Sequence, residues 1–584
     1  MSQQNKTTLQ SCINAQLADN STGNITAANV RNNLINITDS LLFNSGSQSI
    51  TGSLIVTGSL GVTGSISTSG SNGTINGLFF STGGGNVPSN ISIGATTNFS
   101  FSASGVGNTA IGYSALQFNT SGSHNTAIGN QALKDNILGS HNTAIGNQAL
   151  FYNTSGSYNT AIGRSALYYN TSGSFNTAIG CRALYRNTTG CYNTAIGCNS
   201  LQSNTTGINN VAIGPLALCS NTSGNSNTAI GCNALCSNTS GCYNTAIGQS
   251  ALRINSGSFN TAIGQSTLSC NTTGCHNTAI GNSALQLNTT GIHNTAIGNS
   301  ALQLNTTGIN NVAIGPLALF YNTSGSHNTA IGNAALNKNT TGSFNTAIGN
   351  NALTSNTSGS NNTAIGNNAL TSNTSGSFNT AIGNNALTSN TSGSNNTAIG
   401  CNALQNNIFG YNNTAIGNSA LQCNSFGFNN TAIGNSALYR NTIGTYNTAI
   451  GRSAMQCNLA GTNNIAIGQC ALVSSSIGSN NIAFGQCTGC FFSGSSSNNI
   501  AIGFGAGPST NTEESSKLYI ASGSGTPLIK GDFAAKTVNI NNILQLPVLT
   551  TTPSPAADGM IIASGSGGAS KVYYYNGTSW NALF

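Results

Sequence analysis

Side chains able to do acid–base chemistry are few in this chain of 584 residues. Between Asn108 and Gly507 the only carboxylate is Asp135. Hydrolysis of a glycosidic bond requires two carboxylates that flank the bond, and a Ser–His–Asp triad requires an acid that orients the histidine. We therefore expect no enzymatic activity and no cofactor.

The five histidines are the next residues whose side chains could take part in catalysis or metal binding. The interval between His124 and His141 equals that between His276 and His293, and His327 stands alone. If this interval completes one turn of the backbone, each pair stacks and offers zinc two ligands, although a zinc site uses three or four protein ligands. A partly exposed column of turn residues is expected rather than a metal site.

The cysteines show the same interval. The chain has 16 cysteines, and three pairs repeat the histidine spacing: Cys181 and Cys198, Cys219 and Cys236, and Cys470 and Cys487. Residues stacked on adjacent parallel strands lie about 4.8 Å apart, which is within the Cα range of disulfides. Because stacked side chains point the same way, both free thiols and disulfides remain open.

Aromatic residues also cluster at this interval. The group comprises Phe151, Tyr152, Tyr168, Tyr169, Tyr185, Phe320 and Tyr321. Exposed rings can stack against sugars, and apolar patches mark contact surfaces. The two hypotheses are a surface that binds glycans and a seam that seals two chains together.

A 17-residue repeat must position all of these residues. From Asn108 to Asn499 the repeat opens 24 times, with a single shorter interval after Asn244 and a single longer one after Asn481. Numbered from the opening Asn, it reads Asn-Thr-Ala-Ile-Gly-x-x-Ala-Leu-x-x-Asn-Thr-(Ser or Thr)-Gly-x-x. A short fixed period predicts a solenoid in which each repeat forms one coil. We expect two strands of about five residues per coil, with glycines at positions 5 and 15 in left-handed turns.

Side-chain alternation predicts which residues face inward. Position 2 is Thr in most repeats but Val or Ile in five, so it is expected to share the interior with the Ile at position 4. The Ala residues at positions 3 and 8 then point outward, where they suit close packing against a second chain, and the alternative is a simply exposed row of Ala. An ice-binding solenoid is disfavoured on the same ground, because its regular Thr column would be hidden.

Position 12 begins an Asn-Thr-Ser/Thr sequence. Asn119, Asn153, Asn170 and Asn187 are examples, and each matches the acceptor motif for N-glycosylation. The alternative is a ladder of Asn side chains that closes a turn.

The motif "NTAIGxxAL" and its variant "NNVAIG" resemble the head repeats of trimeric autotransporter adhesins, which also occur in tail-fibre and virion-fibre proteins. The resemblance covers the whole repeat array, which is most of the chain. It implies an all-β, left-handed parallel β-roll in which three chains pack side by side as a homotrimeric fibre. The 17-residue unit is longer than that family's usual repeat.

The repeat array divides the rest of the chain. Residues 1–45 are predicted to form an attachment and oligomerisation segment with short helices. Residues 46–73 carry a "TGS" repeat of six residues typical of a thin fibre shaft, and 74–107 form a transition with a degenerate first coil at Asn90. The roll spans 108–507, a β-rich transition spans 508–546, and a C-terminal hairpin tip spans 547–584. The tip holds Tyr573, Tyr574, Tyr575 and the only tryptophan, Trp580, as candidate surface-binding residues, and for Trp580 a packing anchor is the favoured alternative.

The composition argues against nucleic-acid binding and against a membrane-spanning protein. Charged residues make up 4 % of the chain, and a net charge of +7 is spread too thinly for a nucleic-acid surface. No apolar run is long enough to span a membrane, and the first residues lack a secretory signal pattern. We expect a virion or tail fibre that attaches to a glycan or protein receptor at a cell surface. The alternatives are an extracellular bacterial adhesin or matrix filament and, third, the ice-binding solenoid.

Overall fold

The computed structural model describes residues 72–75, 78–81, 90–94, 104–523, 525–541, 548–549, 561–564 and 571–582. The chain divides into two compact units, Met1–Gly73 and Thr74–Phe584. The helices expected in residues 1–45 lie outside the described residues, as does the shaft expected in 46–73 apart from its last two residues, which belong to β1. Within the described ranges every regular element is a β-strand.

Strands β1 (Asn72–Ile75), β2 (Leu78–Ser81) and β3 (Ile91–Ile93) come before the repeat array. The array contributes one strand per coil: β4 Thr109–Ile111, β5 Thr126–Ile128, β6 Thr143–Ile145, β7 Thr160–Ile162, β8 Thr177–Ile179, β9 Thr194–Ile196, β10 Val211–Ile213, β11 Thr228–Ile230, β12 Thr245–Ile247, β13 Thr261–Ile263, β14 Thr278–Ile280, β15 Thr295–Ile297, β16 Val312–Ile314, β17 Thr329–Ile331, β18 Thr346–Ile348, β19 Thr363–Ile365, β20 Thr380–Ile382, β21 Thr397–Ile399, β22 Thr414–Ile416, β23 Thr431–Ile433, β24 Thr448–Ile450, β25 Ile465–Ile467, β26 Ile482–Phe484 and β27 Ile500–Ile502. Strands β28 (Lys517–Ile520), β29 (Ile529–Asp532), β30 (Thr537–Ile540), β31 (Val548–Leu549), β32 (Ile561–Ser564), β33 (Lys571–Tyr575) and β34 (Trp580–Ala582) follow.

The coils stack as a parallel β-solenoid with one 17-residue repeat per turn. Each strand pairs in parallel with the next at identical repeat positions, as in Thr295 with Val312 and Ala296 with Ala313. Strand β3 joins β4 in the same way, so the strand that follows Asn90 belongs to the stack. The repeat interval therefore predicts the architecture correctly.

The second five-residue strand expected in each coil is absent from coils 108–480. Its place is taken by turns that still bond from coil to coil, such as the Leu302 N–H to the Ala318 carbonyl at 2.8 Å. Ser300 and Leu302, at positions 7 and 9, have φ angles of 54° and 53°, as does His293 at position 17 with 56°. Because left-handed residues cannot continue an extended strand, the chain folds back repeatedly in each coil.

The two glycines of the repeat serve different purposes. Gly298, at position 5, has a φ of 136°, which only glycine adopts readily. Gly308, at position 15, is not left-handed. A Cβ there would overlap the carbonyl oxygen of Gly325 and the Oδ1 of Asn305. The second glycine is thus required by close stacking between coils, and the prediction of a left-handed turn at position 15 is wrong.

The face assignment from the sequence is also wrong. Ala296 at position 3 is fully buried, whereas Thr295 and Ile297 on either side are partly exposed. Ala301 and Leu302, at positions 8 and 9, are both fully buried. The coil interior is so narrow that only Ala fits at positions 3 and 8 (with occasional Ser or Thr at position 8), and one Leu per coil fills the remaining space.

Two columns of Asn close the coil from inside. At position 1, Asn294 donates from its backbone N–H to Oδ1 of Asn277 (2.9 Å) and from Nδ2 to the Gly308 carbonyl (2.9 Å). At position 12, Asn305 donates from Nδ2 to Oδ1 of Asn288 (2.8 Å) and to the same Gly308 carbonyl (3.1 Å). Both columns are buried, so each Asn side chain replaces water for backbone groups that the coil cannot pair.

The end of the stack differs from its middle. Phe492 takes the position-12 site in the last full interval and packs against Tyr519 of β28, with ring centroids 5.8 Å apart. Strand β28 pairs in parallel with β27 and antiparallel with β29, and β29 pairs antiparallel with β30. We call residues 517–540 the C-terminal cap, since they cover the last coil. A separate sheet pairs β31 with β32 in parallel, and β32 with β33 and β33 with β34 antiparallel.

Candidate functional site

The aromatic residues at positions 10 and 11 form one continuous stack, which we call the aromatic ladder: Phe151, Tyr152, Tyr168, Tyr169 and Tyr185. Rings at the same position on adjacent coils stack, as Tyr152 and Tyr169 do at 5.5 Å and 9°. Rings at positions 10 and 11 of one coil meet edge to face, as Tyr168 and Tyr169 do at 4.7 Å and 86°. Phe151 is only 7 % exposed, so it is a packing residue and not the surface residue expected from the sequence.

Cations cover parts of both ends of the ladder. Lys134 Nζ lies 5.0 Å from the centroid of Phe151, and the guanidinium carbon of Arg182 lies 5.6 Å from that of Tyr185. The faces of the inner rings are covered by their neighbours. The ladder therefore presents mainly ring edges and hydroxyl groups to solvent, a geometry that does not favour a sugar stacked on a ring face.

Burial raises the pKa of Tyr168 to about 12, with a further contribution from the adjacent Tyr152 hydroxyl. Burial also raises the pKa of Tyr185, together with its hydrogen bond to Tyr169. The phenols of Tyr168 and Tyr185 therefore stay protonated at neutral pH.

A shallow groove of about 770 Å³ runs beside the ladder. One wall is formed by Tyr152, Tyr169, Tyr185 and Arg186, and the other by the threonines at position 13, Thr154, Thr171, Thr188 and Thr205. The Thr154 hydroxyl donates to the Thr171 carbonyl on the next coil (2.9 Å), so it keeps acceptor capacity toward the groove. The groove suits an extended chain laid along the stack.

Phe320 and Tyr321 do not extend into a second ladder. Their rings meet edge to face at 4.6 Å, and Tyr321 is exposed. The adjacent coils carry Leu304 and Lys338 rather than aromatic rings at these positions. This pair is an isolated surface feature.

The histidines lie in an exposed column at position 17, as predicted. His124 stacks on His141 at 5.0 Å and His141 on Tyr158 at 4.7 Å, while His276 stacks on His293 at 4.9 Å. Among the described residues no group of three or more His, Cys, Asp or Glu is placed to hold a metal ion.

The cysteine pairs differ in geometry. The sulfur atoms of Cys219 and Cys236 are 2.7 Å apart, whereas Cys181 Sγ accepts a hydrogen bond from Arg164 Nη2 at 3.4 Å and Cys198 is exposed. Cys470 and Cys487 lie at left-handed position 7, and burial raises the pKa of the Cys487 thiol. All these cysteines are free thiols in the structure.

The four asparagines that match the glycosylation motif are enclosed. Asn119, Asn153, Asn170 and Asn187 are fully buried members of the position-12 column, and Asn170 Nδ2 donates to Oδ1 of Asn153 at 2.7 Å. A glycan on Nδ2 would have to occupy the coil interior. The folded coil therefore excludes sugar attachment at these four residues, and the ladder interpretation holds.

In the C-terminal sheet, Trp580 lies 5.3 Å from Tyr575, with the ring planes at 52°. Tyr574 is exposed, whereas Tyr573, Tyr575 and Trp580 are half-buried. Trp580 thus contacts a neighbouring strand while part of its surface remains accessible.

One surface that runs the length of the roll was not recognised from the sequence. Position 2, usually Thr, and position 4, usually Ile, point outward along the roll, and Ile280, Ile348 and Ile382 are each 36 % exposed. We call this surface the Thr/Ile face. The signal for it lies in the repeat itself, because position 3 is Ala in all 24 units whereas position 2 varies and position 4 accepts Phe484. A position that tolerates only one small side chain is the inward one.

Comparison with protein-family models, curated proteins and solved structures gives no match for this chain. None of the described segments forms a helix with the length and apolar character needed to span a bilayer.

Proposed function

We propose that this protein is the subunit of a homotrimeric structural fibre that provides reach and surface attachment, as in a virion or tail fibre. The observation that supports it best is the Thr/Ile face, which runs from β4 to β27 without a charged residue. Soluble monomers rarely expose a contiguous apolar patch larger than a few hundred Å². A face of this length is a contact surface.

The occupant of that face is a second copy of the chain. Copies that share the same rise per coil can align their Ile columns along the whole stack, which a partner of another shape could not do. The near absence of charge between 108 and 507 removes the electrostatic penalty of packing long identical surfaces together. In an oligomer with closed rotational symmetry, every copy can bury its Thr/Ile face against a neighbour. The choice of three copies follows from the resemblance to adhesin-type repeats.

The proposed interface lies on a different face of the coil from the one expected from the sequence. The Ala columns expected to contact a neighbouring chain fill the coil interior, so the interface we propose consists of Thr and Ile. Each chain completes its own core, and the roll can therefore be lengthened one coil at a time. At about 4.8 Å per coil, 24 coils give a rod segment of roughly 115 Å.

The interface is tested by placing charge on two adjacent coils. Ile297→Arg with Ile314→Arg should lower the oligomer mass in analytical ultracentrifugation, because two guanidinium groups would be buried without partners. Thr290→Arg with Thr307→Arg, on exposed position 14, adds the same charge at the same spacing and should leave the mass unchanged. Circular dichroism is the control for whether both variants keep their coils. An unchanged mass for the isoleucine variant would overturn the proposed interface.

We propose that recognition is carried mainly by residues 509–584, and that the fibre binds without cleaving. Positions 10, 11 and 17 vary along the roll but flatten to repeated "TS" with Phe or Asn between Thr354 and Ser389. A specific receptor surface would not be expected to consist of near-identical copies. The groove beside the aromatic ladder is the second surface. Release of reducing ends from a bound polysaccharide would contradict the non-catalytic role.

Ice binding is a second candidate, because the argument against it from the sequence fails. The Thr residues at position 2 face outward in a regular column, with Val or Ile in their place in five coils. Thermal hysteresis by the purified protein would favour this function. If thermal hysteresis is absent and a trimer buries the Thr/Ile face, the structural fibre is the function that the results support. A bacterial adhesin or matrix filament would use the same architecture. It would differ from a virion fibre only in being attached to a bacterial cell or matrix.

A further inference from the structure

Cys219 and Cys236 occupy position 10 of adjacent coils, one residue after the buried leucines Leu218 and Leu235. Their sulfur atoms are 2.7 Å apart, closer than unbonded sulfur atoms normally approach. A disulfide has an S–S length of about 2.05 Å and a Cα separation of about 4.4–6.8 Å, a range that includes the spacing of stacked coils. Only a small rotation of the side chains separates the two thiols from a covalent bond.

We infer that Cys219 and Cys236 are a modification site, at which a small-molecule disulfide such as oxidised glutathione converts the stacked thiols into a covalent bond between coils. One of the two cysteines, as its thiolate, attacks one sulfur of glutathione disulfide, forms a mixed disulfide and releases one glutathione thiolate. The other cysteine gives its proton to that thiolate and attacks the protein sulfur of the mixed disulfide, which releases the second glutathione. Two cysteine thiols are oxidised, and one glutathione disulfide is reduced to two thiols.

The two thiols share one short contact. The sulfur atoms lie 2.7 Å apart with either able to donate, and the Cys219 thiol is also placed to donate to the Cys236 carbonyl at 3.3 Å and lies 3.7 Å from the Ser220 hydroxyl. A hydrogen bond between the two sulfur atoms stabilises a thiolate on one of them while its partner stays protonated. Since the thiolate is the nucleophile, the thiol that ionises attacks first and the other resolves the mixed disulfide.

The bond would fasten β10 to β11 through the adjoining turns. Repeat arrays open from their ends by local unfolding, one neighbour interface at a time. A covalent link within the roll would stop opening at that interface. The proposed modification thus makes the protection of these two coils dependent on redox conditions, independently of oligomer state or receptor binding.

Cys181 and Cys198 provide a matched control within the same chain. They also stand one repeat apart on adjacent coils, so the entropy of closing the loop is equal for both pairs in the unfolded chain. In the folded chain Cys181 is engaged by Arg164 instead. Any preference for Cys219–Cys236 in the folded protein therefore reports coil geometry and not chain length.

The experiment equilibrates the full-length reduced protein in glutathione buffers of increasing oxidised fraction, blocks free thiols with iodoacetamide and maps the linked peptides by mass spectrometry. We expect the Cys219–Cys236 link to form at an oxidised-to-reduced ratio at least about tenfold lower than Cys181–Cys198, and this difference to vanish in denaturant. Cys236→Ser should accumulate a glutathione adduct on Cys219. Equal formation of the two links in the folded protein, or no Cys219–Cys236 link at any ratio, would overturn the inference.

Discussion

Ala296 and Thr295 are adjacent on β15, yet only the alanine is fully buried. Alternation in the sequence indicates that the two residues face opposite ways but not which way is inward, because both faces carry apolar side chains. Side-chain volume decides the question. A coil this short encloses too little space for Ile and Thr at the strand, so Ala lies inside and the larger residues lie outside.

Substitution at these two positions tests the inside–outside assignment. Ala296→Val should destabilise the coil by about 1–3 kcal/mol, because it adds volume to a closed interior. Thr295→Val should change stability by no more than about 0.5 kcal/mol, and Val312 already occupies the equivalent site. Hydrogen exchange across 278–331 measures both. The reverse order of effects would restore the faces predicted from the sequence.

The Asn columns give a second prediction at the residue scale. Asn305→Ala removes two donated bonds, to Asn288 and Gly308, and the bond accepted from Asn322 at 2.8 Å. We expect a local loss of about 2–3 kcal/mol, since buried amides lose partners that water cannot replace. Asn299→Ala, on the exposed surface of the same coil, is the control and should be nearly neutral. Equal protection of coil 294–310 in the two variants would contradict the ladder's role.

At the scale of elements, the repeat interval was sufficient to predict the stack and its parallel register, since one coil must follow the next at a fixed rise. The second strand could not be predicted correctly. Leu302 and its counterparts adopt left-handed backbone angles that leucine disfavours by about 1–2 kcal/mol. Local propensity argues against that conformation, and it persists because the neighbouring coils on both sides fix the backbone.

The aromatic ladder shows a similar limit of prediction. The spacing of Tyr152 and Tyr169 correctly places the two rings over one another. The orientation of their planes depends on side-chain torsions and on the crowding of positions 10 and 11 within each coil. That orientation determines whether ring faces or edges meet a ligand, and the sequence contains no direct signal for it.

Acid should loosen the C-terminal cap before the roll. The Lys517 ammonium donates to Asp532 at 2.5 Å and, with the Ala535 N–H, holds the pKa of Asp532 below its usual value. A depressed folded-state pKa gives stability that is present above the unfolded pKa and lost as pH falls through the folded one. The roll has only Asp135 as an acid, and burial raises its pKa, so acid favours its folded form.

Hydrogen exchange of residues 517–541 and 294–310 between neutral and strongly acidic pH measures this difference. We expect protection of the cap to fall while protection of the coil is retained. Asp532→Asn should weaken the cap already at neutral pH and reduce its further loss in acid. A roll that opens at the same pH as the cap would show that some other group controls acid stability.

For the whole molecule, stability and length follow from one interface repeated many times. Every coil within the array meets the next through the same ladder, so an interior coil is interchangeable with its neighbours. Asn362 donates its N–H to Oδ1 of Asn345 at 3.0 Å, and Asn396 makes the same bond to Asn379 at 3.0 Å. The sequence predicts this interchangeability directly. It does not predict which surface the proposed oligomer would bury, since that depends on which side chains of each strand face outward.

Deleting residues 362–395, which are two complete coils, should therefore leave a continuous roll. Asn396 would take the place of Asn362 against Asn345, and the fibre should shorten by about 10 Å. Electron microscopy gives the length, and circular dichroism the retained fold. Deletion of 362–370, about half a coil, is the control, because it puts Thr371 where an opening Asn is needed and should disrupt stacking.

On a cell surface to which the full-length fibre adsorbs, the two-coil deletion should adsorb equally well, whereas removal of 547–584 should abolish adsorption. If the two-coil deletion loses adsorption and the truncated tip retains it, recognition lies along the roll and the C-terminal sheet has another purpose.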